Sequence, residues 1–301
     1  MEKAAENVDA GAAAPLQLKL FGSWASSYTH RVQLAMRLKG LGFEYAEEDL
    51  RNKSDALLRH NPVYNKVPVL VHDGRSLAES VIILQYLDDA FPATRQLLPA
   101  DAFDRAVARF WCHFGDDKVC TRAHAPLVMI LLWLTCFLWN GMQLGPAVGA
   151  VFASTGEEQE AAVHQVHENL ALLEAELREG AFKGRRFFGG DEVGFLDVVL
   201  GCGSYWLAVF EEVTGVQLVD AEAFPLFHAW LRDFEGQDEV RETIPSIDRL
   251  LEYARGLRQM LVAMAAGAGA GSGAASADAP TAAPPAAAPP AATTADIAVD
   301  I

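Results

Sequence analysis

The chain has 301 residues, 51% of them apolar, and a formal net charge of −16. That length holds two domains and a large core. The acidic balance, with no clustered Lys or Arg, excludes nucleic acid as a main partner. Cys112, Cys120, Cys136 and Cys202 form no Cys-x-x-Cys pair and no Cys/His cluster with zinc spacing. No metal is therefore expected, and the cysteines read as free thiols of a reducing compartment.

Residues 1–15 are polar and Ala-rich, without the apolar stretch of a secretory leader, and read as a flexible segment. Leu16–Phe21 alternates as a short strand. The turn Gly22-Ser23-Trp24-Ala25-Ser26-Ser27 follows, then a helix through Val32, Leu34, Ala35, Met36 and Leu38 that stops at Gly40. Phe43–Leu50 reads as a second strand, and Ser54 caps a short helix, Asp55–His60, that Asn61-Pro62 ends. Val67–His72 is a third strand, the turn Asp73-Gly74 leads into a fourth, and Ser80 opens a helix with Ile82, Ile83, Tyr86 and Leu87. The order is βαβαββα over residues 16–93, an α/β domain.

After the linker Phe91–Ala100 the pattern is helical through residue 262. Helices are expected at Phe103–Val119, Glu157–Arg178, Val193–Val213, Phe224–Phe234 and Ile247–Leu261. Residues 263–301 are Ala, Pro and Gly with almost no large apolar side chain, so a disordered tail is expected. One stretch breaks the pattern. Leu127–Trp139 is continuously apolar but shorter than the ~20 residues of a membrane span, so membrane insertion is not expected.

Four pieces of the first domain bear chemistry. Ser26 and Ser27 stand at a helix start, where free N–H groups and the helix dipole favour an anion such as a thiolate; from the turn alone, plain N-capping is the better explanation. Val67, at a strand head, can pair its backbone with an extended peptide. Glu79 suits an ammonium, and Ser80 at a helix N-terminus suits a carboxylate. Lys53 and Lys66 suit a second carboxylate. One ligand has an amino-acid end, a peptide backbone, a thiol and a second carboxylate: glutathione.

The strings WASSYTHRVQLAMRLKGLGFEY, EEDLRNKS, NPVYNKVPVLVHDG and ESVIILQYLDD carry a resemblance to the plant tau-class glutathione transferases. The helical remainder resembles them through FWCHFGDDKV, GEEQEAAVHQVHENLALLE and FFGGDEVGFLDVVLG. The resemblance implies a thioredoxin-like domain followed by an all-α domain, with Ser26 as the catalytic serine donating to the glutathione sulfur. Lys53 and Lys66 would hold the glycyl end, Val67 before a cis Pro68 the cysteinyl unit, and Glu79 and Ser80 the γ-glutamyl end. The pocket for the hydrophobic electrophile would draw on Trp24, Tyr28, Trp206, Tyr253 and Leu257. Glutathione is then a co-substrate, no cofactor is permanently bound, and a cytosolic homodimer is expected. No cysteine stands at position 26, which disfavours thiol-transfer chemistry.

Two departures stand out. Family members commonly carry Pro where Ser27 stands. The larger one is Cys120–Leu144, an apolar block without acidic residues where the family runs from a motif like Asp117-Lys118-Val119 directly to one like Gly145–Thr155. The block reads as a translated, unspliced intron; if it is part of the mature chain, a catalytically weak carrier of apolar ligands becomes the alternative function.

Overall fold

The computed structural model describes residues 17–116 and 144–271. The leader, the block 120–144 apart from Leu144, and the tail beyond Gly271 lie outside the described residues. Elements are numbered over the described residues.

The first domain runs β1 (Leu18–Gly22), α1 (Ser27–Leu38), β2 (Glu44–Glu47), α2 (Asp55–His60), β3 (Val69–His72), β4 (Arg75–Ala78) and α3 (Ser80–Ala90). The sheet order is β2-β1-β3-β4. β1 pairs parallel with β2, and α1 supplies the crossover such a pair requires. β1–β3 and β3–β4 are antiparallel. Asp73 and Gly74 link β3 to β4 with φ of 48° and 79°. Two positive values make a primed two-residue turn, and Asp-Gly is the dipeptide that tolerates it.

Strand alternation sorts the side chains. Leu18, Leu20 and Leu70 face the main core with α1 and α3, while Phe21, Val69 and Val71 close a smaller core with Leu57 of α2. α1 is buried nearly all round because α3 packs on one side and the helical domain on the other.

The helical domain comprises α4 (Ala102–Asp116), α5 (Leu144–Ala153), α6 (Glu157–Arg178), α7 (Phe195–Gly201), α8 (Ser204–Thr214), α9 (Pro225–Glu235), α10 (Asp238–Arg241) and α11 (Ile247–Gly271). Buried carboxylates organise it. Asp197 accepts from the backbone N–H groups of Phe188, Gly189 and Gly194 and from Trp230 Nε1, each at 2.8 Å. Burial pushes its carboxyl upward while those donors pull it back. Glu174 of α6 accepts from Leu226 and Phe227 N–H, satisfying the start of α9.

A buried ion pair joins the linker to the first domain. Lys39 Nζ lies 2.7 Å from Asp88 Oδ1 and 2.7 Å from the Arg95 carbonyl. Asp88 also accepts from the N–H groups of Leu97 and Leu98.

The structure departs from the sequence reading in several places. The span Val193–Val213 is two helices, α7 and α8, because Cys202 leaves the helical region and Gly203 sits at φ 107°, open to glycine. Gly201 also lets Phe234 approach so closely that a Cβ would stand 2.4 Å from its ring. The short helix α10 was not expected. Strand β2 covers only Glu44–Glu47. Residues 263–271, expected to be disordered, continue α11, as the high helix propensity of their alanines allows.

Candidate active site

Strand register gathers the four chemical pieces at one end of the sheet. Phe21 pairs with Val69, and Val69 with Ala78. The turn after β1, the head of β3 and the start of α3 are therefore neighbours. Gly22 pairs with Glu47, and Glu48 N–H donates to the Gly22 carbonyl at 2.7 Å. That places the Asp49–Ser54 loop, with Lys53, on the same end. Gly22 itself is required: a Cβ there would meet Thr29 Cγ2 at 2.2 Å.

Ser26 is the N-cap of α1, and Thr29 N–H donates to its Oγ at 3.2 Å. Capping does not exclude a catalytic part. The hydroxyl accepts from Thr29 and keeps its own proton to donate. Ser26 is 0% exposed, however, and lies just behind the cleft wall formed by Ser23, Trp24 and Ala25. Ser27 is also buried.

The Val67–Pro68 peptide is cis. Val67 is buried, Lys66 is half-buried, and the Lys66 carbonyl accepts from Asn61 Nδ2 at 3.0 Å. Lys53 is half-buried beside Ser54, whose hydroxyl donates to Glu48 at 2.7 Å. Glu79 is exposed at the N-cap of α3, with φ held at 72°. A non-glycine residue in that region stores strain, which persists where the surroundings over-determine the geometry.

Ser80 is buried, and Arg31 Nη1 donates to its Oγ at 3.3 Å. Arg31 was not singled out from the sequence. It is 2% exposed, donates through Nε to the Val199 carbonyl at 3.1 Å, and lies 5.0 Å from the Tyr28 ring centre. It thus puts a buried cation behind the serine that suits a carboxylate. A charged residue inside an otherwise apolar helix face was its only signal.

A cleft of about 230 Å³ opens beside this turn, lined by Ser23, Trp24, Ala25, the Glu47–Arg51 loop, Arg249 and Tyr253. Trp24 and Tyr253 meet edge-on with ring centres 5.7 Å apart. Tyr28, Trp206 and Leu257, expected in the electrophile pocket, do not line this cleft. Tyr28 sits under Arg31. Trp206 is 2% exposed, its Nε1 donating to the Ala25 carbonyl at 3.2 Å, and supports the wall from behind. Leu257, one turn beyond Tyr253, is buried in the core. Arg249, one turn before Tyr253, was missed although helical spacing pointed to it.

Among the described residues no cluster of His, Cys, Asp and Glu could hold a metal, and no helix is long and apolar enough to cross a membrane. Cys112 and Cys202 are buried, and burial pushes the Cys202 thiol upward, away from thiolate chemistry.

The glutathione S-transferase N-terminal domain family matches residues 16–89, and the corresponding C-terminal domain family matches residues 156–233. The chain is 43% identical over 246 residues to glutathione transferase GST 23 of Zea mays, covering 82% of this chain and 97% of that protein. The chain belongs to the glutathione S-transferase family. Among solved structures, the transferase is similar to the tau-class glutathione S-transferase of mango, with a TM-score of 0.67, 34% identity, and coverage of 80% of this chain and 98% of that one. It is equally similar to rice GST1 in complex with glutathione, with a TM-score of 0.67, 37% identity, and coverage of 82% and 99%. These likenesses group it with the plant tau class. The block 120–144 falls between the two matched domains.

Proposed function

We propose that this protein transfers the glutathione thiolate to hydrophobic electrophilic small molecules, as in detoxification or stress metabolism, with peroxide reduction a further use of the same thiolate. The observation that carries the reading is the register that brings Ser26, Val67 and Ser80 to one end of the sheet. Glutathione would lie along that end. Its γ-glutamyl carboxylate would meet Ser80 and the start of α3, with Arg31 behind, and its ammonium would meet Glu79. The cysteinyl backbone would pair with Val67, and the glycyl carboxylate would meet Lys53 and Lys66.

The sulfur then sits at the start of α1. Free N–H groups and the hydroxyl of Ser26 stabilise its anion, lowering the thiol pKa and raising the thiolate fraction. The chain itself forms no covalent intermediate. Its work is to position the sulfur against an electrophile in the cleft and to stabilise charge. Trp24 and Tyr253 offer the apolar surface for that electrophile. A direct test is release of chromophoric conjugate from an aryl chloride and glutathione, compared with the rate in buffer.

The complete burial of Ser26 favours a second reading, a glutathione-binding carrier with weak catalysis. Retention on immobilised glutathione without turnover of any substrate in a broad panel selects it. The cytosol is the proposed location. A homodimer is proposed on the exposure of Phe103 (75%), Phe110 (61%) and Ile82 (53%) along α3 and α4, and sedimentation reads its mass directly. The block 120–144 is proposed to be unspliced intron sequence. A dominant transcript encoding it overturns that, and assays of the chain with and without the block read its effect.

A further inference from the structure

The cleft beside Ser26 carries a cation on its aromatic wall. The Arg249 guanidinium carbon lies 3.7 Å from the Trp24 ring centre, and Trp24 meets Tyr253 edge-on. Arg51 enters from the opposite loop. It stands close enough to Tyr253 to oppose the upward push that burial exerts on the phenol. Arg249 is exposed and makes no ion pair among the described residues.

Three acidic residues also line the cleft, and each carboxylate accepts hydrogen bonds from the protein itself. Glu47 accepts from Trp24 N–H at 3.0 Å and Tyr45 O–H at 2.8 Å. Glu48 accepts from Ser54 N–H at 3.0 Å and Ser54 O–H at 2.7 Å. Asp49 accepts from Arg51 N–H at 2.9 Å. A guanidinium stacked on an indole, by contrast, keeps its N–H edge free, and that planar fork matches a carboxylate. With a net charge of −16 the chain repels anions overall, so an anionic ligand needs cations placed locally.

We infer that the cleft selects aromatic electrophiles bearing a carboxylate, with Arg249 as the residue that sets this preference and Arg51 assisting. The inference rests on the glutathione-transfer reading and names its substrate class. With an aryl chloride, the thiolate sulfur bonds to the ring carbon that carries chlorine. Chloride leaves with its bonding electron pair, and the thiol proton passes to solvent. The carboxylate takes no part beyond anchoring the ring.

The test compares wild type, Arg249→Ala and Arg249→Lys, using 1-chloro-2,4-dinitrobenzene and 4-chloro-3,5-dinitrobenzoate at saturating glutathione. Arg249→Ala should raise the KM for the benzoate ~five- to tenfold more than it raises the KM for the neutral chloride, and Arg249→Lys should restore most of the difference. About 0.5 M salt should shrink the wild-type preference. Equal effects on both substrates, or none, overturn the inference. Calorimetric binding of 3,5-dinitrobenzoate and of 1,3-dinitrobenzene, neither of which carries chloride, runs beside the kinetics. Tighter binding of the benzoate, lost in Arg249→Ala, supports the anion site even if wild type turns over neither chloride, an outcome that sinks the transfer reading alone. Equal binding of the two ring compounds overturns the anion site even if turnover is normal.

Discussion

Trp206 Nε1 donates to the carbonyl of Ala25 at 3.2 Å, across the domain boundary. The residue held is the one before Ser26, so a buried side chain of the helical domain fixes the turn that presents the serine. Trp206→Phe removes the donor and leaves that carbonyl without its partner. A stability loss of about 1–3 kcal/mol is expected. Turnover should fall more than glutathione affinity, because the turn loosens while Val67 and Ser80 stay in place. Denaturant unfolding and a kcat-against-KM comparison check this.

Ser26 has an observed duty as N-cap and a proposed one as donor to the glutathione sulfur, and substitution separates them. Ser26→Ala removes the N-cap, at about 1 kcal/mol of stability. It also removes the proposed proton donor to the sulfur, and turnover should fall about 100-fold, as for loss of one oxyanion donor. Glutathione affinity should change far less. The apparent pKa of the bound thiol should rise, since its anion loses a stabilising donor; thiolate absorbance against pH measures it. Unchanged turnover would assign Ser26 to capping alone.

The Lys39–Asp88 pair is fully buried, with side-chain exposures of 0% and 3%. Asp88→Ala strands the ammonium and frees the N–H groups of Leu97 and Leu98. A loss of about 3–5 kcal/mol is expected, by analogy with other broken buried pairs. The double variant Lys39→Met/Asp88→Leu should recover part of it, because no lone charge remains. Urea midpoints of the three proteins decide.

His30 makes the fold sensitive to acid. It is 3% exposed, its Nε2 lies 2.6 Å from Thr243 Oγ1, and burial pushes its pKa from 6.5 down to about 3. Between those values the unfolded chain binds a proton that the folded chain refuses. Its contribution to stability is therefore full above pH 6.5 and declines as pH falls towards 3, by up to about 1.4 kcal/mol per pH unit. His30→Gln should flatten that slope between pH 6 and 4, measured by urea unfolding at each pH.

Short-range chemistry was readable from residue order. The Asp73-Gly74 turn, the caps at Ser26 and Ser54 and the element order all depend on neighbours a few residues apart or on fixed spacing. The break between α7 and α8 was not readable, since Val193–Val213 is largely apolar and the break rests on the positive φ that Gly203 adopts in the fold. Arg31 and Arg249 were missed for a related reason. Each draws its meaning from a partner far along the chain: Ser80 and Val199 for one, Trp24 for the other.

The proposed glutathione half of the site follows from residue order because strand register copies local spacing into space: once β1, β3 and β4 pair, Ser26, Val67 and Ser80 must share an end. The electrophile half does not follow. Trp24 and Tyr253 reach the cleft while Trp206, as aromatic as either, is sealed behind it by the Ala25 carbonyl. Which aromatic faces solvent depends on how two domains pack, a long-range balance of burial and hydrogen bonding that no periodicity along the chain records.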